Sequence, residues 1–149
     1  MIRTRGLGHI NLNVSDLERS KRFYCELFGL EVLMEYEGPM GEYPSGRQVA
    51  LSTPGASDVI ALSQVPGVPV GPAGVNHFGF NLVSNDEVAD AVAEAVRAGG
   101  RLIREQTYES NGVVEHNAYV ADPDGYVIEL NAQAVLLARK HHHDGKAQS

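Results

Sequence analysis

Residues 7–14 alternate, with His9, Asn11 and Asn13 on one side and Ile10, Leu12 and Val14 on the other, which predicts a half-buried strand. Ser15 and Asp16 then supply a helix N-cap with Glu18 in the first turn. Leu17, Phe23, Leu27 and Phe28 form the apolar stripe, and Gly29 stops the helix. Residues 30–37 read as a strand, residues 38–46 as a loop rich in Gly and Pro, and residues 48–52 and 58–64 as two further strands. The order so far is βαβββ. Residues 66–72 hold three prolines and predict a linker of restricted freedom. The same order then returns. A strand is expected over 75–83 and a helix over 85–98, capped near Ser84 or Asn85 and stopped at Gly99-Gly100. Strands follow over 102–109 and 113–121, with a turn at Gly112. Asp122-Pro123-Asp124-Gly125 makes a tight turn into a last strand over 126–132.

The repetition is visible in the residues themselves. His9-Ile10-Asn11-Leu12-Asn13-Val14 is echoed 68 residues later by His77-Phe78-Gly79-Phe80-Asn81-Leu82, and Val59-Ile60-Ala61-Leu62 is echoed at the same spacing by Val127-Ile128-Glu129-Leu130. The expected organisation is therefore a first module at 1–66, a linker at 67–74, a second module at 75–132 and a C-terminal extension at 133–149, all within one compact domain. A short helix is expected over 133–140 and a polar, disordered tail beyond it, whose His141, His142 and His143 are set aside as ligands.

Composition narrows the class. The 149 residues can bury a core, and 43% hydrophobic with 21% charged residues is ordinary for a globular protein. A net charge of −7 without a basic stripe argues against a nucleic-acid partner. The single cysteine, Cys25, excludes an internal disulfide. With no signal-like start and no membrane-length apolar run, the expectation is a cytoplasmic protein with no membrane partner.

Strand parity locates the candidate chemistry, because successive side chains point to opposite faces. Ile10, Leu12, Val14, Phe78, Phe80, Leu82, Ala118, Val120, Ile128 and Leu130 should pack inward. Facing away from them are His9, Asn11, Asn13, His77, Gly79, Asn81, Glu115, Asn117, Tyr119, Glu129 and Asn131. His9 and His77 are equivalent in the repeat, and Glu129 stands where the first copy has Ala61. Two imidazoles and a carboxylate suit a divalent metal with open positions, at which a substrate oxygen would be polarised. Fe(II) or Mn(II) is favoured, with Zn(II), Ni(II) or Co(II) as alternatives. Tyr119 and then Glu115 are the expected acid–base groups on that surface. Asn11 or Asn81 would orient a ligand imidazole. Tyr36, Met40 and Tyr43 would line a substrate pocket, and His116 falls on the wrong face.

These residues resemble the vicinal oxygen chelate superfamily, which includes glyoxalase I, extradiol dioxygenases, methylmalonyl-CoA epimerase, and fosfomycin-resistance and bleomycin-binding proteins. The resemblance is carried by Gly8-His9-Ile10, by Asp16-Leu17 with Ser20 and Phe23-Tyr24, and by Phe28-Gly29-Leu30. It continues through Asn76-His77-Phe78-Gly79-Phe80 and Asp122-Pro123-Asp124-Gly125 with Glu129-Leu130. It implies an α+β fold of two tandem βαβββ modules whose curved mixed sheets form a metal-binding cleft. It also implies His9, His77 and Glu129 as ligands, a small substrate bound through adjacent oxygens, and a homodimer.

Within that superfamily, glyoxalase I and the epimerase resemble this pattern but take a fourth ligand where Ala61 stands. Extradiol dioxygenases resemble it in their three ligands and in a tyrosine at the place of Tyr119, but their base histidine has no counterpart between His9 and His77. The expectation is a metal-dependent enzyme, with extradiol-type dioxygenase chemistry slightly ahead. Glyoxalase-type isomerase, epimerase or lyase chemistry through a metal-bound enediolate is the first alternative, and a non-catalytic ligand-sequestering resistance protein using the same cleft is the second.

Overall fold

The computed structural model describes residues 7–110 and 113–132; the expected turn at Gly112, the helix over 133–140 and the tail histidines lie outside the described residues. Two four-stranded mixed sheets are built from one repeated plan. β1 (Ile10–Asn13), α1 (Leu17–Phe28), β2 (Glu31–Met40), β3 (Tyr43–Ser52) and β4 (Ile60–Gln64) make the first. β5 (Phe78–Asn81), α2 (Val88–Arg97), β6 (Arg101–Ser110), β7 (Val113–Ala121) and β8 (Val127–Asn131) make the second. The strand orders are β1-β4-β3-β2 and β5-β8-β7-β6. β1–β4 and β5–β8 pair in parallel, and the remaining pairs are antiparallel. The expected α+β fold of two tandem modules is the fold observed.

Local chemistry sets the element ends. Asp16 caps α1, its carboxylate accepting from the Arg19 N–H at 3.0 Å, and Gly29 closes the helix at φ 63°, a conformation that costs glycine nothing. Ser84 and Glu87 form a reciprocal capping box around a single 3-10 turn, so α2 itself begins at Val88, three residues later than the capping signal suggested. The expected loop over 38–46 is largely strand. β2 runs to Met40, a two-residue turn follows, and β3 starts at Tyr43; Pro39 and Pro44 sit where the ladder skips between the Gly38–Gly46 and Met40–Tyr43 pairs. Proline is tolerated there because its missing N–H breaks no ladder bond.

One core serves both modules. Leu12, Val14, Leu17, Phe23, Tyr24, Leu51 and Leu62 from the first pack in the same cluster as Val88, Ala95, Ala118, Val120, Ile128 and Leu130 from the second. Burying each large side chain contributes roughly 2–3 kcal/mol. The joint between modules is specific. Phe28 stacks on Phe80 with centroids 3.8 Å apart. Tyr24 donates to Asp122 at 2.9 Å, and Tyr126 donates to the Asn13 carbonyl at 2.8 Å. The Asp124 carboxylate receives the Ser15 N–H and hydroxyl, the Ser20 hydroxyl and the Arg19 guanidinium. The 122–125 turn thus ties the second module to the start of α1. With both helix-bearing faces turned to this core, the two polar faces look away from it. Among the described residues no helix is long and apolar enough to cross a membrane.

Candidate metal centre

Register places the candidate residues in rows, because residues opposite one another in a sheet share a face. Arg104 faces Tyr119, Tyr119 faces Glu129, and Glu129 faces Gly79, so these four form one row across the second sheet. The next row is Gln106, Asn117, Asn131 and Asn81, four carboxamides side by side. The matching rows of the first sheet are Asn11, Ala61, Ala50 and Met34, and then Asn13, Ser63, Gln48 and Tyr36. Of the rows named, only those of the second sheet carry charged residues, Arg104 and Glu129.

His77, just before β5, and Glu129, in β8, are brought together: imidazole Nε2 is 3.4 Å from carboxylate Oε2. Both are held by other groups. His77 Nδ1 lies 2.6 Å from the Asn76 side-chain oxygen, an acceptor, so with a metal on Nε2 the ring would donate from Nδ1 to Asn76. Glu129 Oε1 accepts from the Asn117 amide at 2.5 Å and from the Tyr119 hydroxyl at 3.0 Å, leaving Oε2 toward His77. Gly79 leaves room beside this carboxylate; a Cβ there would meet Glu129 Cβ at 3.6 Å and Oε2 at 3.9 Å. Tyr119 also meets the His77 ring edge-on with centroids 5.4 Å apart. Burial first, and then the bond to Glu129, push the Tyr119 hydroxyl above its ordinary pKa, so it remains a donor.

The pair fits a metal. Two ligand atoms about 2.1 Å from a common ion, at tetrahedral angles, stand roughly 3.4 Å apart. The imidazole has an acceptor at Nδ1 and the carboxylate is steered by two donors, the kind of support that metal ligands have.

The other expected residues fall elsewhere. His9 is exposed at the entry to β1, in a cavity of about 610 Å³ with Asp58, Phe78, Gly79 and Asn81. It does not join His77 and Glu129: among the described residues no three His, Cys, Asp or Glu side chains cluster as a metal site. Glu115, the second expected acid–base group, is 5% exposed. His116 turns to Glu105 at 3.7 Å on the opposite face, as its parity implied. Asn11 accepts from Ser63 in a first-module network with Gln48 rather than orienting an imidazole, and the imidazole partner is Asn76. Tyr36, Met40 and Tyr43 do line a cavity, of about 440 Å³, with Asn11, Asn13, Gln48 and Ser63. Asn76 and Asn117 were missed as supporting residues. Asn76 precedes the ladder, where alternation gives no direction, and Asn117 was visible only as one more polar strand residue.

A family model described as the glyoxalase/bleomycin resistance protein/dioxygenase superfamily matches residues 6–130. The chain belongs to that superfamily. A lactoylglutathione lyase of Salmonella typhimurium is 36% identical over 83% of this chain and 90% of its own length. A lactoylglutathione lyase of Arabidopsis thaliana is 32% identical over 82% of the chain, which spans only 42% of that relative's length. A catechol-2,3-dioxygenase of Bacillus subtilis is 28% identical over 85% of the chain, which spans 41% of it. Among solved structures, the trypanothione-dependent glyoxalase I of Leishmania major superposes with a TM-score of 0.67, 26% identical, covering 97% of this chain and 98% of that one. The superfamily is thus the expected one, and the lean toward dioxygenase chemistry within it gains no specific support from these relatives.

For a superfamily member with this centre, Tyr119→Phe is expected to weaken divalent-metal binding about tenfold without unfolding the protein. Glu129 would keep only the Asn117 amide on Oε1. Metal titration alongside thermal melting checks this; unchanged affinity would remove Tyr119 from the centre.

Proposed function

We propose that this protein is a glyoxalase-type, divalent-metal-dependent lyase or isomerase that binds a small substrate through two adjacent oxygens and moves a proton beside them. The observation that carries the reading is the convergence of His77 Nε2 and Glu129 Oε2 at 3.4 Å, each with its other polar atom already engaged. The lactoylglutathione lyases among the relatives give the reaction class its direction. A bound Fe(II), Mn(II) or other first-row ion would act as a Lewis acid, polarising the chelated oxygens.

The chain's own residues supply the rest. Tyr119 holds a proton one hydrogen bond from the ligand carboxylate. The carboxamide oxygens of Asn117 and Asn131 are buried without a hydrogen-bond partner in the row beside the ligand pair. Glu115 lies on the same strand as a second acid–base group. His9 completes the ligand set from a second copy of the chain, in a homodimer. What supports this is that no third ligand joins His77 and Glu129 among the described residues, while the helix-bearing faces of both modules are taken up by one core.

The test begins with elemental analysis of the purified protein. The metal-loaded dimer is then assayed for isomerisation of a 2-oxoaldehyde thiol adduct and, under Fe(II), for oxygen uptake with catechol. Thioester formation without oxygen uptake is the expected result. Ring cleavage of catechol with no isomerisation would overturn it in favour of the dioxygenase reading.

A further inference from the structure

We propose that Arg104 holds the anionic end of the substrate, and that the substrate is a small organic acid whose carboxylate lies about one aromatic ring away from the two chelating oxygens. This rests on the reading of His77 and Glu129 as metal ligands and extends it to a substrate class. Arg104 reaches the site through a break in the ladder: Leu102 pairs with Val120 and Arg104 with Tyr119, so Ile103 is an extra residue in β6. Without that bulge Arg104 would stand opposite Ala118, on the core side; with it, Arg104 joins the polar row of Tyr119 and Glu129. The first sheet has the same irregularity between Val32 and Met34, which puts Met34 at the corresponding place. The fold supplies the position twice, and this chain fills it with a cation only beside the metal ligands.

The guanidinium is held in place there. Its central carbon lies 4.8 Å from the Tyr119 ring centroid, stacked on an aromatic face whose hydroxyl already reaches Glu129. Among the described residues it makes no ion pair, and neither do Arg22 and Arg101, whereas Arg19, Lys21, Arg47 and Arg97 each have a carboxylate partner; of the three unpaired cations only Arg104 stands in the row of Glu129. Its surroundings explain why. The neighbouring row is entirely carboxamide, and the one acid in its own row, Glu129, turns its oxygens to Asn117, Tyr119 and His77. In a chain of net charge −7, an unpaired cation beside the ligand pair is a place where an anionic substrate gains attraction. A carboxylate accepted by this fork would lie over or beyond the Tyr119 ring, with the chelating oxygens at the other end of a small molecule.

The test compares two chelators that differ only in the anion. Catechol and 3,4-dihydroxybenzoate both offer adjacent oxygens, and the second adds a carboxylate across one ring. Co(II)-loaded full-length protein is titrated with each, read by cobalt's visible bands and by calorimetry. The acid should bind at least about tenfold tighter than catechol, the effect of one charge-assisted contact. Arg104→Gln should abolish that preference while leaving catechol binding, Co(II) affinity and the melting temperature unchanged. Arg104→Lys should keep part of it, as a point charge without the fork. Equal binding of the two ligands, failure of both to bind, a preference that survives Arg104→Gln, or catechol affinity falling in step with that of the acid would each overturn the proposal. A cobalt titration run first separates the two levels. If Co(II) does not bind, or binds equally to Glu129→Ala, the metal reading itself fails. If it binds normally and the preference is missing, only the role of Arg104 fails.

Discussion

Glu129→Ala is expected to lower divalent-metal affinity by about a hundredfold or more while leaving the fold intact. Losing a group that merely supports a ligand costs 10- to 100-fold in comparable sites, so losing the ligand costs at least as much. The fold should survive because Glu129 contributes no apolar packing: its neighbours Ile128 and Leu130, on the opposite face, make the core contacts of β8. The substitution also takes the short bond to Glu129 from the Asn117 amide, which is 2% exposed and keeps only the Tyr119 hydroxyl at 3.4 Å, at a cost of about 1–3 kcal/mol. Glu129→Gln retains part of the polar contact and separates the two effects, since it should lose metal with less loss of stability. His77→Ala should match it in metal affinity. Equilibrium titration with elemental analysis of the dialysed proteins measures both, and a variant that holds metal as wild type does would remove its residue from the ligand set.

The same variants decide how the site is assembled. His9→Ala and Glu129→Ala proteins should each be inactive alone. In a mixed dimer whose sites are shared between chains, one site collects both lesions and the other collects neither, so denaturing and refolding the two together should restore metal binding. If His9 belongs to the centre of its own chain, no intact site forms and nothing is restored.

Much of this was legible in the sequence because two periodicities coincide. The 68-residue echo marked the duplication, and parity assigned faces correctly: Ala118, Val120, Ile128 and Leu130 are all fully buried, while Tyr119 and Glu129 share the other side. Parity carries no information across an irregular ladder. Arg104 lies after a bulge, so counting by twos from Leu102 puts it on the wrong face. The 38–46 segment looked like a loop because its glycines and prolines are concentrated at one hairpin tip, where pairing skips a residue. His9 and His77 are equivalent along the chain, and His9 lines a cavity with Phe78 and Gly79 without forming a three-ligand cluster among the described residues. The turn at 122–125 was readable as a turn, but its two aspartates gave no sign that they join the modules, because that role depends on residues about a hundred positions away.

That joint carries the largest expected loss of stability. Asp122, 4% exposed, accepts from the Tyr24 hydroxyl and from the Asp124 and Tyr126 N–H groups, each at 2.9 Å. Asp122→Ala leaves the Tyr24 hydroxyl, on a residue 0% exposed, without its acceptor and loosens the turn, at a cost of about 3 kcal/mol or roughly 10 °C in melting temperature. Asp122→Asn keeps an acceptor and should cost less. The two also differ in their pH dependence. Burial, the largest influence, raises the Asp122 pKa above its usual 3.8 against the three donors that lower it, so the folded state holds this proton more tightly than the unfolded one. The sign follows: the contribution of Asp122 is greatest below pH 3.8, the unfolded value, and is lost as the pH rises through the higher folded pKa. Melting temperatures of wild type minus Asp122→Asn should therefore increase as the pH is lowered toward 3.8, because every other titrating group is common to both proteins. A difference that instead grows with rising pH would mean that the three donors outweigh burial and that Asp122 works as an ionised clamp. Either slope, together with a single cooperative transition for both modules, would show that α1 and the second sheet unfold as one unit.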